Sequence, residues 1–224
     1  MKAVALAPLA LLCLIAPLAS ASSVPFVSSG ISDNNTGVTF DGLIDYDETS
    51  GVLQITLNNT SPLNSSATGL AFNIDGSGDV TVAYDGTDNP ATAGVLENEF
   101  SLESAFGFAP FGEFEYGLSS GNTGDNNAQG VNPGETGIFT FNLSGPDAGD
   151  LTALSFISAL STLPPGDQPS LFGVRFQSVG DNFGGSDRAT AVPGGTPIPL
   201  PPGAWAGLAT LGAMAIGQLR RKLA

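Results

Sequence analysis

The sequence contains no histidine and a single cysteine, Cys13, among its 224 residues. The absence of histidine removes the side chain that most often acts as a general base near neutral pH and most often ligates metal ions. One cysteine cannot form an intrachain disulfide, a cysteine-based zinc site or a cysteine–histidine pair. Any catalysis or metal binding would therefore depend on carboxylates and neutral oxygen ligands.

Basic residues are also scarce. Six Lys and Arg stand against 21 Asp and Glu, so the formal net charge is −15. All the acidic residues lie between Asp33 and Asp187, and only Arg175 and Arg188 accompany them within residues 22–192, which gives that segment 2 − 21 = −19. Such a segment repels phosphate backbones, so we expect no nucleic-acid partner. Without lysine or histidine it also lacks a Schiff-base amine and a Ser–His–Asp triad.

Residues 22–192 are predicted to form one β-rich domain. Hydrophobic residues make up 42% of the chain, which is enough for the core of one domain of this size. In residues 52–57 the alternation places Leu53, Ile55 and Leu57 on one face, as in a half-buried strand. Comparable strand patterns occur in residues 38–46, 70–74, 80–84, 111–118, 138–143 and 171–179.

The spacing of these segments predicts the fold class. Segments 70–74 and 80–84 flank the turn-rich stretch Asp75–Asp79, which favours a hairpin. Only residues 151–160, where apolar side chains recur every third position, have a helical pattern. Many short strands separated by turns predict an all-β, antiparallel β-sandwich, Ig-like or jelly-roll-like, with one short helix.

Residues 1–21 have the composition of a cleavable secretory signal peptide. An apolar run from Leu6 to Leu18 precedes the small-x-small sequence Ala19-Ser20-Ala21, which predicts cleavage between Ala21 and Ser22. The run is short and is interrupted by two prolines, so an uncleaved membrane anchor is the less favoured alternative.

Residues 193–224 have three successive parts that together predict a membrane-inserted tail. The motif Ile198-Pro199-Leu200-Pro201-Pro202 enforces an extended segment, and an uncharged run from Gly203 to Leu219 follows it. At about 1.5 Å per residue this run barely spans a hydrocarbon core. Trp205 suits the membrane interface, and the cluster Arg220, Arg221 and Lys222 is expected to stay cytoplasmic.

This tail resembles the sorting signals of the PEP-CTERM family, which have a proline-containing motif, a hydrophobic helix and a terminal Arg-rich cluster. Residues 198–202 look most like the VPLPA-type variant, with Ile198 in place of Val and Pro202 in place of Ala. The resemblance implies recognition and cleavage by an exosortase, a transpeptidase-like membrane enzyme of bacteria. It also implies transfer from the inner membrane to the cell surface or extracellular matrix. A plain single-span anchor is the alternative.

Two kinds of oxygen chemistry stay open within the domain. Asp75, Ser77 and Asp79 present oxygens at alternate positions with glycines between them, as loops that bind Ca²⁺ do, although a Gly-Asp turn needs no metal. Asp181, Asp187 and the Asp85–Asp88 turn are weaker candidates of the same kind. A glycosidase would need two of the carboxylates Glu97, Glu99, Glu103, Glu113 and Glu115 in one cleft, but exposed strand faces explain Glu113 and Glu115 better.

We therefore expect an exported, non-enzymatic bacterial protein with a structural or adhesive role in an exopolysaccharide or biofilm matrix. Its expected partners are an exosortase-type enzyme, exopolysaccharide, and the membrane before processing. No cofactor is expected, apart from Ca²⁺ in the loop described above. The alternatives are a carbohydrate- or calcium-binding module anchored by one C-terminal helix, and a carboxylate-dependent hydrolase.

Overall fold

The computed structural model describes residues 21–76, 78–88, 100–120, 130–162, 168–182 and 184–195. The strands are β1 (Ala21–Ser32), β2 (Phe40–Asp47), β3 (Val52–Asn59), β4 (Ser66–Phe72), β5 (Thr81–Asp88), β6 (Phe100–Gly107), β7 (Glu113–Ser120), β8 (Thr136–Ser144), β9 (Phe172–Val179) and β10 (Gly185–Pro193). Two short 3₁₀ helices, Ala148–Asp150 and Ala153–Phe156, are the helical segments in this part of the chain.

All ten strands belong to one antiparallel sheet. Their order is β5-β8-β3-β2-β1-β10-β9-β4-β7-β6, so β5 and β6 are the two edges. These edge strands contact each other, and the sheet therefore nearly closes on itself. The predicted antiparallel all-β class is confirmed. The structure has one continuous sheet in place of two separate ones, because β1 and β10 are hydrogen-bonded to each other in the middle of the order.

Aromatic residues join the two halves of this sheet across its interior. The ring centroids of Phe72 on β4 and Phe141 on β8 are 5.4 Å apart, and those of Phe100 on β6 and Phe139 on β8 are 5.2 Å apart. β8 lies near one end of the strand order, whereas β4 and β6 lie near the other. The sheet must therefore fold back over its own inner face, so that side chains from its two halves pack against each other in one core.

Alternation along the strands matches the sequence where one face is solvated. Leu53, Ile55 and Leu57 are buried in the core as predicted, with 0%, 0% and 1% of their surface exposed. Glu113 and Glu115 are exposed, whereas Phe114 between them is buried. Period-two alternation predicts these strands because one face of each packs in the core and the other faces water.

β4 departs from this pattern because it is buried on both faces. A second hydrophobic cluster covers its outer side, formed by Ala71, Phe106, Phe108, Phe111 and Phe114. The rings approach the backbone at two glycines. A β-carbon on Gly117 would lie 2.1 Å from the ring of Phe106, and one on Gly173 would lie 2.5 Å from Phe108. Glycine is therefore required at both positions for the cluster to seat on the sheet.

Two predictions of local structure need correction. The predicted hairpin around Asp75–Asp79 would pair β4 with β5, and this prediction is wrong. β4 pairs with β7 and β9, whereas β5 pairs with β8. The stretch is instead a crossover between the two halves of the sheet. The helical pattern in residues 151–160 is realised only as the 3₁₀ helix Ala153–Phe156, where Thr152 and Ser155 form a capping box.

Candidate functional site

The first and last strands of the described domain are hydrogen-bonded neighbours, which brings its two chain ends close together. β1 begins at Ala21, which is exposed, and Ser22 accepts a hydrogen bond from the amide of Ala153 at 2.8 Å through its Oγ. Pro193 at the end of β10 is in register with Phe26, and the amide of Gly194 donates to the carbonyl of Pro25. The chain therefore enters and leaves the domain at the same end of two neighbouring strands.

Several predicted site residues lie outside the described residues. They are Ala19 of the cleavage motif, Ser77 of the acidic loop, the sorting motif Ile198, Pro199, Leu200, Pro201 and Pro202, the interfacial Trp205, and the cluster Arg220, Arg221 and Lys222. Within the ranges that the structure describes, none of the helices has the length and apolar character needed to cross a membrane.

The acidic loop is held by hydrogen bonds from both of its ends. Asp75 accepts a hydrogen bond from the hydroxyl of Ser158 at 3.1 Å, and the amide of Asp79 donates to the carboxylate of Asp147 at 3.0 Å. Both Asp75 and Asp79 are exposed. Across the described residues, no three acidic, histidine or cysteine side chains come together in a group that could hold a metal ion. The visible role of Asp147 is to fix the crossover.

Asp187 is the most constrained carboxylate in the described domain, and only 1% of its surface is exposed. One oxygen accepts from the amides of Asn34 and Arg188, at 2.9 and 2.8 Å. The other accepts from the hydroxyl of Ser32 and from both the amide and hydroxyl of Thr36, at 2.9, 3.1 and 2.5 Å. Burial alone would raise the pKa of Asp187, but these hydrogen bonds together lower it below its ordinary value. Asp187 anchors the segment that follows β1, in place of the weak calcium role considered from the sequence.

The two arginines of the domain lie side by side on the outer face of neighbouring strands. Arg175 on β9 and Arg188 on β10 are paired in register. Arg188 forms an ion pair with Asp33, with 3.4 Å between the guanidinium and the carboxylate. Burial, followed by the charge of Arg188, lowers the pKa of Arg175. Both arginines lie on the surface of the sheet, and neither lines the groove beside β6 and β7.

A groove of about 490 Å³ opens beside the edge of the sheet. Its walls are the end of β6, the start of β7, the crossover near Gly78 and residues 159–162. Glu113, Glu115, Tyr116 and Leu160 are among the lining side chains. This volume falls within the range of about 300–1,000 Å³ that is usual for ligand sites. The sequence pattern could not find the groove, because its walls come from four separated segments.

Two carboxylates of the hydrolase alternative, Glu113 and Glu115, line the same groove, but the groove is open and neither of them is buried. Glu103, Glu113 and Glu115 are all exposed, and Glu103 instead accepts a hydrogen bond from Ser119 at 2.5 Å. Glu97 and Glu99 lie outside the described residues.

The class that the fold defines is an all-β protein built on one nearly closed, antiparallel sheet of ten strands. Comparison with known protein families, with curated proteins and with solved structures finds no match to this chain.

Proposed function

We propose that this chain is an exported bacterial protein of the cell surface or extracellular matrix, with a non-enzymatic structural or adhesive role among exopolysaccharides. The observation that carries the proposal is the tripartite tail of residues 193–224 on a chain that begins with a signal-like segment. An exosortase-type enzyme would recognise Ile198–Pro202 while the following apolar run is in the inner membrane. Processing would then release an acidic β-domain from its basic tail.

The geometry of the domain supports this proposal. β10 ends at Pro193, where the expected sorting tail begins, and its hydrogen-bonded neighbour is β1. Because both ends leave from one end of adjacent strands, the domain can fold while either end or both are held at the same membrane. The sandwich-like packing of the two halves also gives a rigid unit for display outside the cell.

Removal of Pro197–Ala224 tests the sorting step. In a bacterium with an active exosortase, we expect the full-length chain to lose its tail and reach the surface, whereas the truncated chain stays unsorted in the periplasm. The intact mass of each product reads both processing sites at once. A variant that lacks only Arg220–Lys222 is the matched control for the basic cluster. A full-length product that stays in the periplasm with an intact C-terminus would refute exosortase sorting.

Calcium binding at Asp75, Ser77 and Asp79 stays a second, weaker hypothesis. It rests on the spacing of oxygen ligands in the sequence and on the exposure of Asp75 and Asp79. We expect calorimetric titration of the full-length chain with CaCl₂ to give heat that the double variant Asp75→Asn/Asp79→Asn loses. Absence of heat in the wild type would remove calcium from the proposal.

A further inference from the structure

We propose that the groove beside β6 and β7 binds a polysaccharide whose sugars carry protonated amino groups. The inference deepens the proposed function and rests on its association with exopolysaccharide, because it names a site and a class of sugar. Its first support is shape: a concavity of about 490 Å³ is open to solvent along one side of the domain. Because the concavity is open to solvent, a bound sugar need not be fully enclosed.

The second support is a pair of carboxylates at fixed backbone positions. The amide of Ile74 donates to the carboxylate of Glu115 at 2.9 Å, and the amide of Glu115 donates to the buried Asn73 at 2.7 Å. Glu113 and Thr162 exchange two backbone hydrogen bonds, at 2.8 and 2.9 Å. No side chain within the described ranges donates a hydrogen bond to the carboxylate of Glu113. The carboxylate of Glu115 is therefore oriented before a ligand binds, and that of Glu113 is available to the ligand.

The third support is charge complementarity. The described lining includes the acidic residues Glu113 and Glu115 and contains no arginine or lysine. Arg175 and Arg188, the two cations of the domain, lie elsewhere on the sheet. The surrounding domain carries a large negative charge, so the potential in the groove attracts cations and repels uronic acids, phosphates and sulfates. A neutral sugar would displace water from the carboxylates without supplying an opposite charge.

The remaining lining favours a sugar over a simple cation. Tyr116 is half-buried and stacks on Phe72, with 5.7 Å between the ring centroids, so its position is fixed. Leu160 stands at the groove with 56% of its surface exposed. Apolar walls of this kind suit the C–H faces of a pyranose ring, and the hydroxyls of Ser104 and Thr162 can pair with its hydroxyl groups.

Calorimetry on the full-length chain in mild detergent tests the site directly. The probes are a β-1,4-linked tetramer of glucosamine, the N-acetylated tetramer and a tetrapeptide of lysine, at about pH 6, where most of the probe amines are protonated. We expect the glucosamine tetramer to bind at least about tenfold more tightly than either of the others. Its affinity should fall as NaCl is raised, because the carboxylates are exposed to screening.

The double variant Glu113→Gln/Glu115→Gln should weaken binding of the glucosamine tetramer by about tenfold or more. The amide oxygen introduced by Glu115→Gln can still accept from the Ile74 amide, so the variant keeps the fold. Glu103→Gln is the matched control, because Glu103 is an exposed carboxylate outside the groove lining. The affinity of this variant for the glucosamine tetramer should stay within about twofold of wild type. An equal loss in both variants, tighter binding of the lysine peptide, or no binding of the glucosamine tetramer would overturn the proposal. None of these results depends on whether the tail is sorted.

Discussion

Replacing Asp187 with asparagine is expected to lower the free energy of unfolding by about 3 kcal/mol. The carboxylate is 1% exposed and accepts five hydrogen bonds, three of them from backbone amides. An asparagine NH₂ must occupy one of the two oxygen positions. In either orientation it faces at least one of those backbone amides, so two donors oppose each other in a buried site.

The better orientation for asparagine can be deduced from the donors. The position beside Asn34 and Arg188 meets two backbone amides, which cannot turn away. The other position meets the hydroxyls of Ser32 and Thr36, which can rotate to accept, together with one amide of Thr36. We therefore expect the NH₂ to face Ser32 and Thr36, and the loss to be partial.

Urea unfolding followed by circular dichroism measures this loss. Far-ultraviolet dichroism is preferred because the only tryptophan, Trp205, lies outside the β-domain. Asp181→Asn is the matched control, since Asp181 is exposed and undergoes the same change of charge. It should change the stability by less than about 0.5 kcal/mol. Equal stabilities of the two variants would contradict the anchoring role of Asp187.

The same carboxylate links stability to pH. Burial raises its pKa in the folded chain, but the hydrogen bonds from Asn34, Thr36 and Ser32 together lower it below the value in the unfolded chain. Its contribution is therefore complete above the unfolded pKa and is lost as the pH falls through the folded pKa. Below about pH 4 the wild type should lose stability more steeply than Asp187→Asn does, so their curves converge.

Asp187 also illustrates what the sequence could not predict. Its side-chain donors on Ser32 and Thr36 lie 155 and 151 residues away along the chain. No local sequence pattern predicts that an aspartate is buried when its hydrogen-bond partners are distant along the chain. The groove has the same origin, since four separated segments contribute its walls.

Strands were predictable where alternation is local, and pairing was not. The one-sided burial of β3 follows from Leu53, Ile55 and Leu57 alone. β1, β6 and β10 were missed. In β1 and β10, Ser, Gly and Ala side chains give little contrast between the two faces. The glycines and aspartates of Asp75–Asp79 correctly indicate a change of direction, but they carry no information about which strand receives β5. That choice depends on the hydrogen-bonded pairing of β5 with β8, a strand that lies far along the chain.

Replacing Phe72 with alanine is expected to lower the free energy of unfolding by about 4 kcal/mol, the largest effect we predict. Phe72 is fully buried at the end of β4. Its ring meets Tyr116 on β7, Phe141 on β8 and Phe156 in the second 3₁₀ helix, with centroids 5.7, 5.4 and 6.3 Å away. Truncation therefore opens a cavity between β7, β8 and the second 3₁₀ helix. The pairing of the strands keeps these elements apart, so they cannot move together to fill the cavity.

Two further variants separate this role from ordinary loss of apolar surface. Phe72→Leu keeps most of the side-chain volume and should lower the free energy of unfolding by about 1.5 kcal/mol.

Phe106→Ala removes a ring of the same size from the outer cluster, where Phe106 is 8% exposed and packs over Gly117. That cluster covers one side of one half of the sheet, so its loss should cost less than the loss of Phe72. The slope of unfolding with urea should stay unchanged in all three variants, since each remains two-state. If Phe72→Ala costs no more than Phe106→Ala, the two halves of the sheet are not held together through Phe72, and its contact with Phe141 is incidental.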